Sequence, residues 1–202
     1  MNRGPLFLVF EGIDGSGKST QCDLLYQHVI SLGLPAVRLA EPTDGEWGRK
    51  IRIMLKEKSI VPAEEQLELF LLDRMDDAER NIIPALNENR TVIMDRYYYS
   101  NAAYQGAAGI PPERIIRVNR SSRVPEPDRV YYIDLPPNIA VQRVTGRNNT
   151  REFFERESFL KKVREIFLSI ADEKFLVIDG GKGIGEIFTI VRTDADILLT
   201  RE

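Results

Sequence analysis

Residues 6–20 read Leu6-Phe7-Leu8-Val9-Phe10-Glu11-Gly12-Ile13-Asp14-Gly15-Ser16-Gly17-Lys18-Ser19-Thr20. A short, nearly continuous apolar run leads straight into G-x-x-x-x-G-K-[ST] at Gly12–Ser19. Glycines let a backbone wrap round a polyphosphate with its N–H groups turned inward, and the positive end of the following helix adds to the attraction. Lys18 is placed to reach the outer phosphates of a nucleoside triphosphate, and the Ser19 hydroxyl to ligate Mg²⁺. Leu24, Leu25, His28, Val29 and Leu32 recur at helical spacing behind the loop, and Gly33 stops that helix. The pattern therefore predicts strand, phosphate loop and helix, in that order.

Four more apolar runs rich in Val, Ile, Phe and Tyr follow: Ala36–Ala40, Thr91–Met94, Arg129–Ile133 and Phe175–Ile178. Each is continuous rather than alternating, as in parallel strands covered on both faces. Helical stretches lie between them. One opens at Pro62 with Leu67, Phe70, Leu71 and Met75 on one face; another carries Phe159, Val163, Ile166, Phe167 and Ile170. A last helix after Gly185 has Ile187, Ile190 and Val191 on one side. This alternation predicts an α/β fold: a doubly wound, five-stranded parallel sheet flanked by helices in three α/β/α layers. A single domain over 1–202 is expected, with a lid at about 146–157.

The 202 residues include 28 Lys+Arg against 31 Asp+Glu, a net charge of −3, and 43% are apolar. That balance argues against a general nucleic-acid binder and for a domain with a real core. Cys22 and His28 are the only residues of their kinds, which excludes a disulfide framework, a multi-cysteine zinc site and a Ser/His/Asp triad. No run approaches the ~20 apolar residues of a membrane span, and Leu6–Phe10 is too short for a signal peptide. A cytoplasmic location is expected.

A phosphate loop needs a carboxylate near its metal, and Val92-Ile93-Met94-Asp95 is an apolar strand ending in one. Arg96 follows at the strand's carboxyl end, where ligands of α/β sheets bind, and suits a second phosphate. Phe70 and Arg74, four residues apart, share a helix face and could hold a planar base. A guanidinium on an apolar face would be costly without a partner.

These residues resemble the thymidylate kinase family from Phe7 to about Asp179. Its landmarks are Glu11–Thr20, Glu41-Pro42, Gly48 with Ile51-Arg52, Phe70 with Arg74, Asp95-Arg96-Tyr97, and Ser100-Asn101-Ala102-Ala103-Tyr104-Gln105. Further on come Pro127-Asp128, Ile133-Asp134-Leu135 and Glu157-Ser158-Phe159. The resemblance implies a kinase that phosphorylates dTMP with ATP and Mg²⁺, commonly as a homodimer. Gly12, Asp14, Gly15, Ser16, Gly17, Lys18, Ser19, Thr20 and Arg143 would hold ATP, with Ser19 and Asp95 at the metal. It also implies that Phe70 stacks on thymine, Arg74 bonds its O4 edge, and Asn101 and Gln105 line the base pocket. Tyr104 would sit near the sugar C2′ and Asp14 at the 3′-hydroxyl. Arg96 and Arg52 would neutralise the acceptor phosphate.

Two departures stand out. Ala40 occupies a position before Glu-Pro where the family often has Arg. Gly15 occupies one where some members carry an arginine inside the phosphate loop. Members without that arginine draw the catalytic one from the lid, which makes Arg151 the expected residue and Arg147 and Arg156 its rivals. Of the three adjacent tyrosines, 97–99, two are expected only to pack or to face solvent. Two other readings remain open: a kinase for another nucleotide or nucleoside, and a nucleotide-dependent switch. Against the switch, the chain has no Asn-Lys-x-Asp guanine-reading sequence.

Overall fold

The computed structural model describes residues 4–57, 61–145 and 150–200, and the side chains of 145 and 150–154 are outside that description. Five strands form one all-parallel sheet: β1 (Phe7–Glu11), β2 (Ala36–Ala40), β3 (Thr91–Asp95), β4 (Arg129–Asp134) and β5 (Phe175–Asp179), in the order β2-β3-β1-β4-β5. The expected fold is found, and each expected strand falls within a residue of an observed one. Helices α1 (Lys18–Ser31) and α9 (Ile184–Thr200) cover one face of the sheet. The other face carries α4 (Ile83–Asn87), α5 (Tyr98–Ala107), α7 (Pro137–Thr145) and α8 (Thr150–Ser169), with α3 (Ala63–Asp77) packed against α5. Two amphipathic helices, α2 (Glu46–Glu57) and α6 (Pro112–Ser121), lie outside them, α2 against α3 and α6 against α5; the sequence reading did not single out α2, α4, α5, α6 or α7.

Residues of β1 alternate between the two cores. Phe7 and Val9 pack with Val92, Tyr132, Ala103, Val163 and Phe167, whereas Leu8 and Phe10 pack with Cys22, Leu25, Tyr131, Ile187 and Val191. All five β1 residues are therefore buried, as a central parallel strand requires. β2 and β5 differ from expectation: as edge strands they are only partly buried, because one flank of each faces solvent.

Helix α3 also departs from its expected pattern. Met75 is 43% exposed, and the buried residues are Leu67, Asp73, Arg74 and Asp77. A π-helical turn (Ala78–Ile82) joins α3 to α4, and such turns widen a helix locally. Beyond it Ala78, Ile82 and Ala85 join the core on the sheet, while the turns before it keep a polar face inside. On α1 the expected face holds at Leu25 and Val29, but Leu32 is exposed past the helix end. His28 is partly buried, with Nε2 2.7 Å from Asp196 Oδ1 on α9. All three adjacent tyrosines are fully buried.

Candidate functional site: two cavities on one loop

Strand β1 ends at Glu11, and residues 12–17 turn from it into α1. Gly12 has φ 153°, and a Cβ there would lie 2.7 Å from Ser16 Oγ and 2.8 Å from the Ile133 carbonyl oxygen. Gly15 has φ 82°, with the Ala140 carbonyl oxygen 2.9 Å from the place of a Cβ. Neither position admits a side chain, so an arginine at 15 is sterically excluded in this chain. Gly17 caps α1 without a side-chain bond, and the first turn contains no acidic residue. The open N–H groups are thus left to an anion. Lys18 is buried, with its amine 4.0 Å from Asp14 Oδ1. Burial, followed by the charge of Arg96, lowers its pKa to about 8.

Asp95 closes β3, paired in register with Phe10 and Ala40. Its Oδ1 is buried and has no hydrogen-bond partner among the described residues. Two other strand-ending aspartates are already engaged. Asp134 accepts from Arg164 Nε at 2.6 Å and Nη2 at 2.7 Å, and Asp179 accepts from the Gly181 amide at 2.8 Å. Arg38 Nη2 lies 3.8 Å from Asp95 Oδ2, and Arg38 also pairs with Asp23 on α1. Residues 38 and 40 share one face of β2. Arg38 therefore brings positive charge to Asp95 although position 40 is alanine.

Arg96 adopts φ 70°, a left-handed conformation that is rare for a long side chain. Glu11 holds the turn around it, accepting from the Tyr97 amide (2.9 Å), the Ser100 amide (3.0 Å) and Ser100 Oγ (2.5 Å). Burial raises the Glu11 pKa, against the pull of the Ser100 bond. The Arg96 guanidinium donates to Asp14 Oδ1 at 2.5 Å and to Ser100 Oγ at 2.9 Å. Arg156 Nη2 stands 3.9 Å from the other Asp14 oxygen. Three cations thus converge on Asp14: Lys18, Arg96 and Arg156.

A cavity of about 190 Å³ opens between α3 and α5, lined by Asp14, Pro42, Leu55, Phe70, Arg96 and Ser100, and by Asn101, Tyr104 and Gln105. Six of these nine residues were expected from the sequence; Pro42, Leu55 and Ser100 were not named for it. Tyr104 bridges the loop and α8: its hydroxyl accepts from the Asp14 amide at 3.3 Å, and its ring lies 6.2 Å from that of Phe159. Arg74 is behind the wall rather than in it. It is 1% exposed, lies 5.0 Å over the Tyr97 ring, and donates to Glu41, Asn101 and Asn119. Burial raises the Glu41 pKa to about 8 despite Arg74. Arg52 is at the rim, donating to the Pro42 carbonyl and to Asp44, both at 2.9 Å.

The second cavity, about 310 Å³, lies on the opposite side of the loop. Gly15, Ser16, Gly17 and Thr20 line it, with Arg143, Gly180, Lys182 and Ile184. Arg143 reaches in from α7 and donates to the Gly15 carbonyl at 3.1 Å. Ser19 stays exposed on the first turn of α1. Arg147 lies outside the described residues, and so does the side chain of Arg151, which α8 includes. The expected lid at 146–157 is therefore described only in part, with 155–157 complete.

The two cavities meet one loop at adjoining residues, the smaller at Asp14 and the larger at Gly15. That arrangement defines a P-loop kinase with its own acceptor pocket. Comparison with known proteins narrows the class. A profile of the family described as Thymidylate kinase matches residues 10–190. The thymidylate kinase of Leptospira interrogans is 41% identical over 199 residues, covering 98% of this chain and 96% of the relative. A probable thymidylate kinase of Archaeoglobus fulgidus is 42% identical over 187 residues, 93% of each chain. This chain belongs to the thymidylate kinase family.

Proposed function

We propose that the protein transfers the γ-phosphoryl group of ATP, held at residues 12–20, to the phosphate of dTMP seated between α3 and α5. The observation that carries this is the pair of cavities meeting on one loop, with Asp14 and Arg96 lining the smaller and the Lys18 amine 4.0 Å from Asp14. ATP lies with its phosphates on the loop amides and the α1 N-terminus, and its base end near Arg143 and Lys182. Phe70 faces the thymine ring, Asn101 and Gln105 its edge, and Tyr104 the sugar. Arg74 stands behind that wall and supports the base edge through Asn101, which it holds at 2.7 Å. Asp14 takes the 3′-hydroxyl, and Arg52 supports the acceptor phosphate from the rim.

Mg²⁺ fits the donors present. A magnesium bound mainly by phosphates and water needs only one or two protein oxygens. Asp95 Oδ1 is buried without a described partner, and the Ser19 hydroxyl is on the turn that follows Lys18. When bound, the ion would neutralise charge on the transferring phosphates. The acceptor is already an ionised phosphate, so no strong base is required. The protein's own part is alignment and charge: Lys18 holds the transferring group, Arg96 offsets repulsion between the two anions, and Tyr104 with Phe159 shields the gap from water. Arg156 is the lid arginine best supported here, since its guanidinium stands beside Asp14.

The enzyme acts as a homodimer in the cytoplasm. Exposed Ile53 on α2 and Met75 on the adjoining α3 offer apolar surface for a second copy, and no described helix is long and apolar enough to cross a membrane. ADP release with ATP, Mg²⁺ and each of dTMP, dUMP, dCMP, dGMP, AMP and thymidine tests the reaction. Turnover dependent on dTMP is expected. Turnover with another acceptor would overturn the base-pocket roles, and ADP release indifferent to every acceptor would turn the reading to a switch.

A further inference from the structure

Asn119 lies on α6, lines neither cavity, and is wholly buried. A leucine would fill the same space at no polar cost, so a buried amide in the last turn of α6 has to be explained by its partners. Its Nδ2 donates to the Ile115 carbonyl one turn back, at 2.8 Å, which settles which end of the amide faces away. Its Oδ1 accepts from Arg74 Nη1 at 2.7 Å.

The other two described bonds of Arg74 converge on a single nitrogen. Glu41 and Asn101 both accept from Nη2, the latter at 2.7 Å. Those two bonds lie in the guanidinium plane, which also packs 5.0 Å over the Tyr97 ring. Among the described residues, Asn119 alone accepts from Nη1 and so secures the other arm of the fork.

The orientation passes on into the cavity wall. Arginine can only donate, so Asn101 presents Oδ1 to it and turns Nδ2 to Gln105 Oε1 at 3.2 Å. Gln105 Nε2 then points at Gln66 Oε1 at 3.4 Å, and Gln66 Nε2 donates to the Val61 carbonyl at 2.8 Å. The whole series runs donor to acceptor in one direction, with Arg74 at its head. Two of its members, Asn101 and Gln105, line the cavity.

We propose that Asn119 is a positioning residue for base recognition: from outside the cavity it secures the Nη1 arm of Arg74 and, through Arg74, the amides that face the acceptor's base. This rests on the assignment of the α3–α5 cavity to dTMP. Loss of the Asn119 acceptor should weaken the hold on dTMP and relax discrimination against dCMP, whose amino group offers a donor where thymine has an acceptor. ATP binding and the transfer step, on the far side of Asp14, should be left as they are.

Steady-state kinetics of Asn119→Leu, Asn119→Asp, Arg74→Ala and the Asn119→Leu/Arg74→Ala double variant test this. Asn119→Leu should raise KM for dTMP about tenfold, the size of one buried hydrogen bond to a charged group, with kcat and KM for ATP within about twofold. Asn119→Asp keeps the acceptor and should recover most of the loss. It also serves as the acceptor test if the leucine variant does not fold, with KM for dTMP then expected near that of the parent. In the Arg74→Ala background Asn119→Leu should add nothing. An unchanged KM for dTMP in Asn119→Leu, an equal loss in both KM values and kcat, or an aspartate variant as weak in dTMP as Arg74→Ala would each overturn the inference. If Arg74→Ala itself leaves KM for dTMP unchanged, the base-pocket assignment fails. If only the Asn119 variants do so, that assignment stands and the inference falls.

Discussion

The phosphate end and the base end of the site are built in opposite ways. At the phosphate end, eight consecutive residues from Gly12 to Ser19 make the loop and open α1, and glycines at 12, 15 and 17 set its shape before Arg96, Tyr104, Arg143 and Arg156 reach it from elsewhere. At the base end, Glu41, Arg74, Asn101 and Asn119 come from the end of β2 and from three different helices, joined by contacts 27 to 45 residues apart in the chain. One end is a local conformation that glycine makes available. The other is a buried ion-pair cluster that exists only once the helices have packed. The difference teaches that a phosphate-binding backbone can be encoded in a short segment, whereas a buried polar cluster is distributed over the fold.

The two ends should accordingly break in different kinetic terms. Lys18→Ala and Arg96→Ala should each lower kcat by about a hundredfold or more with the fold intact, since both act on charge in the transition state; circular dichroism and single-turnover assays check this. Arg156→Ala should lower kcat by a similar or somewhat smaller factor and leave KM for dTMP nearly unchanged. A larger kcat loss in Arg151→Ala than in Arg156→Ala would move the lid role to Arg151. At the base end, Arg74→Ala or Phe70→Ala should cost about 1–3 kcal/mol, expressed as KM for dTMP rather than kcat.

Two pH effects sharpen the contrast. Lys18 has a pKa of about 8 without nucleotide, and phosphates beside it will raise that value. ATP binding should therefore take up a proton, and ATP affinity should fall as pH rises through about 8, measurable by calorimetry in buffers of different ionisation enthalpy. At the base end, burial raises Glu41 to about 8 and Asp77 to about 6. Carboxyls with raised folded-state pKa values contribute stability that is full below their unfolded values and lost as pH rises through the folded ones. Thermal stability of the ligand-free protein should thus decline from about pH 4.5 to 8, and Glu41→Gln should flatten the upper part of that decline. This is the smallest of the effects, and a flat profile in the parent protein would refute it.

Much of the fold was legible because its signals are local. Five apolar runs, the glycines at 12, 15 and 17, and Pro62 with Gly33 as helix punctuation each act through the geometry of a few neighbouring residues. The order β2-β3-β1-β4-β5 came from the structure, because right-handed crossovers narrow the possible arrangements without choosing one. The inside of α3 was misread for a physical reason: apolar spacing assigns Met75 to the core, but three charged residues are buried there instead, compensated by Glu41, Thr43, Asn81, Asn101 and Asn119. Nothing in the spacing of residues 63–77 announces partners that lie elsewhere in the chain.

By itself, then, the sequence determined a parallel α/β sheet, a phosphate loop with its lysine, and through its resemblance the family. Local backbone conformation and apolar run length follow from nearest neighbours, and these are written residue by residue. Only the tertiary structure decided which strand-ending aspartate keeps a free oxygen, that Arg38 brings charge to Asp95, that Glu11 holds the Arg96 turn, and that Asn119 fixes Arg74. Each of those is a polar group buried against a distant partner. Burial makes such a pairing obligatory, but only packing chooses the partner.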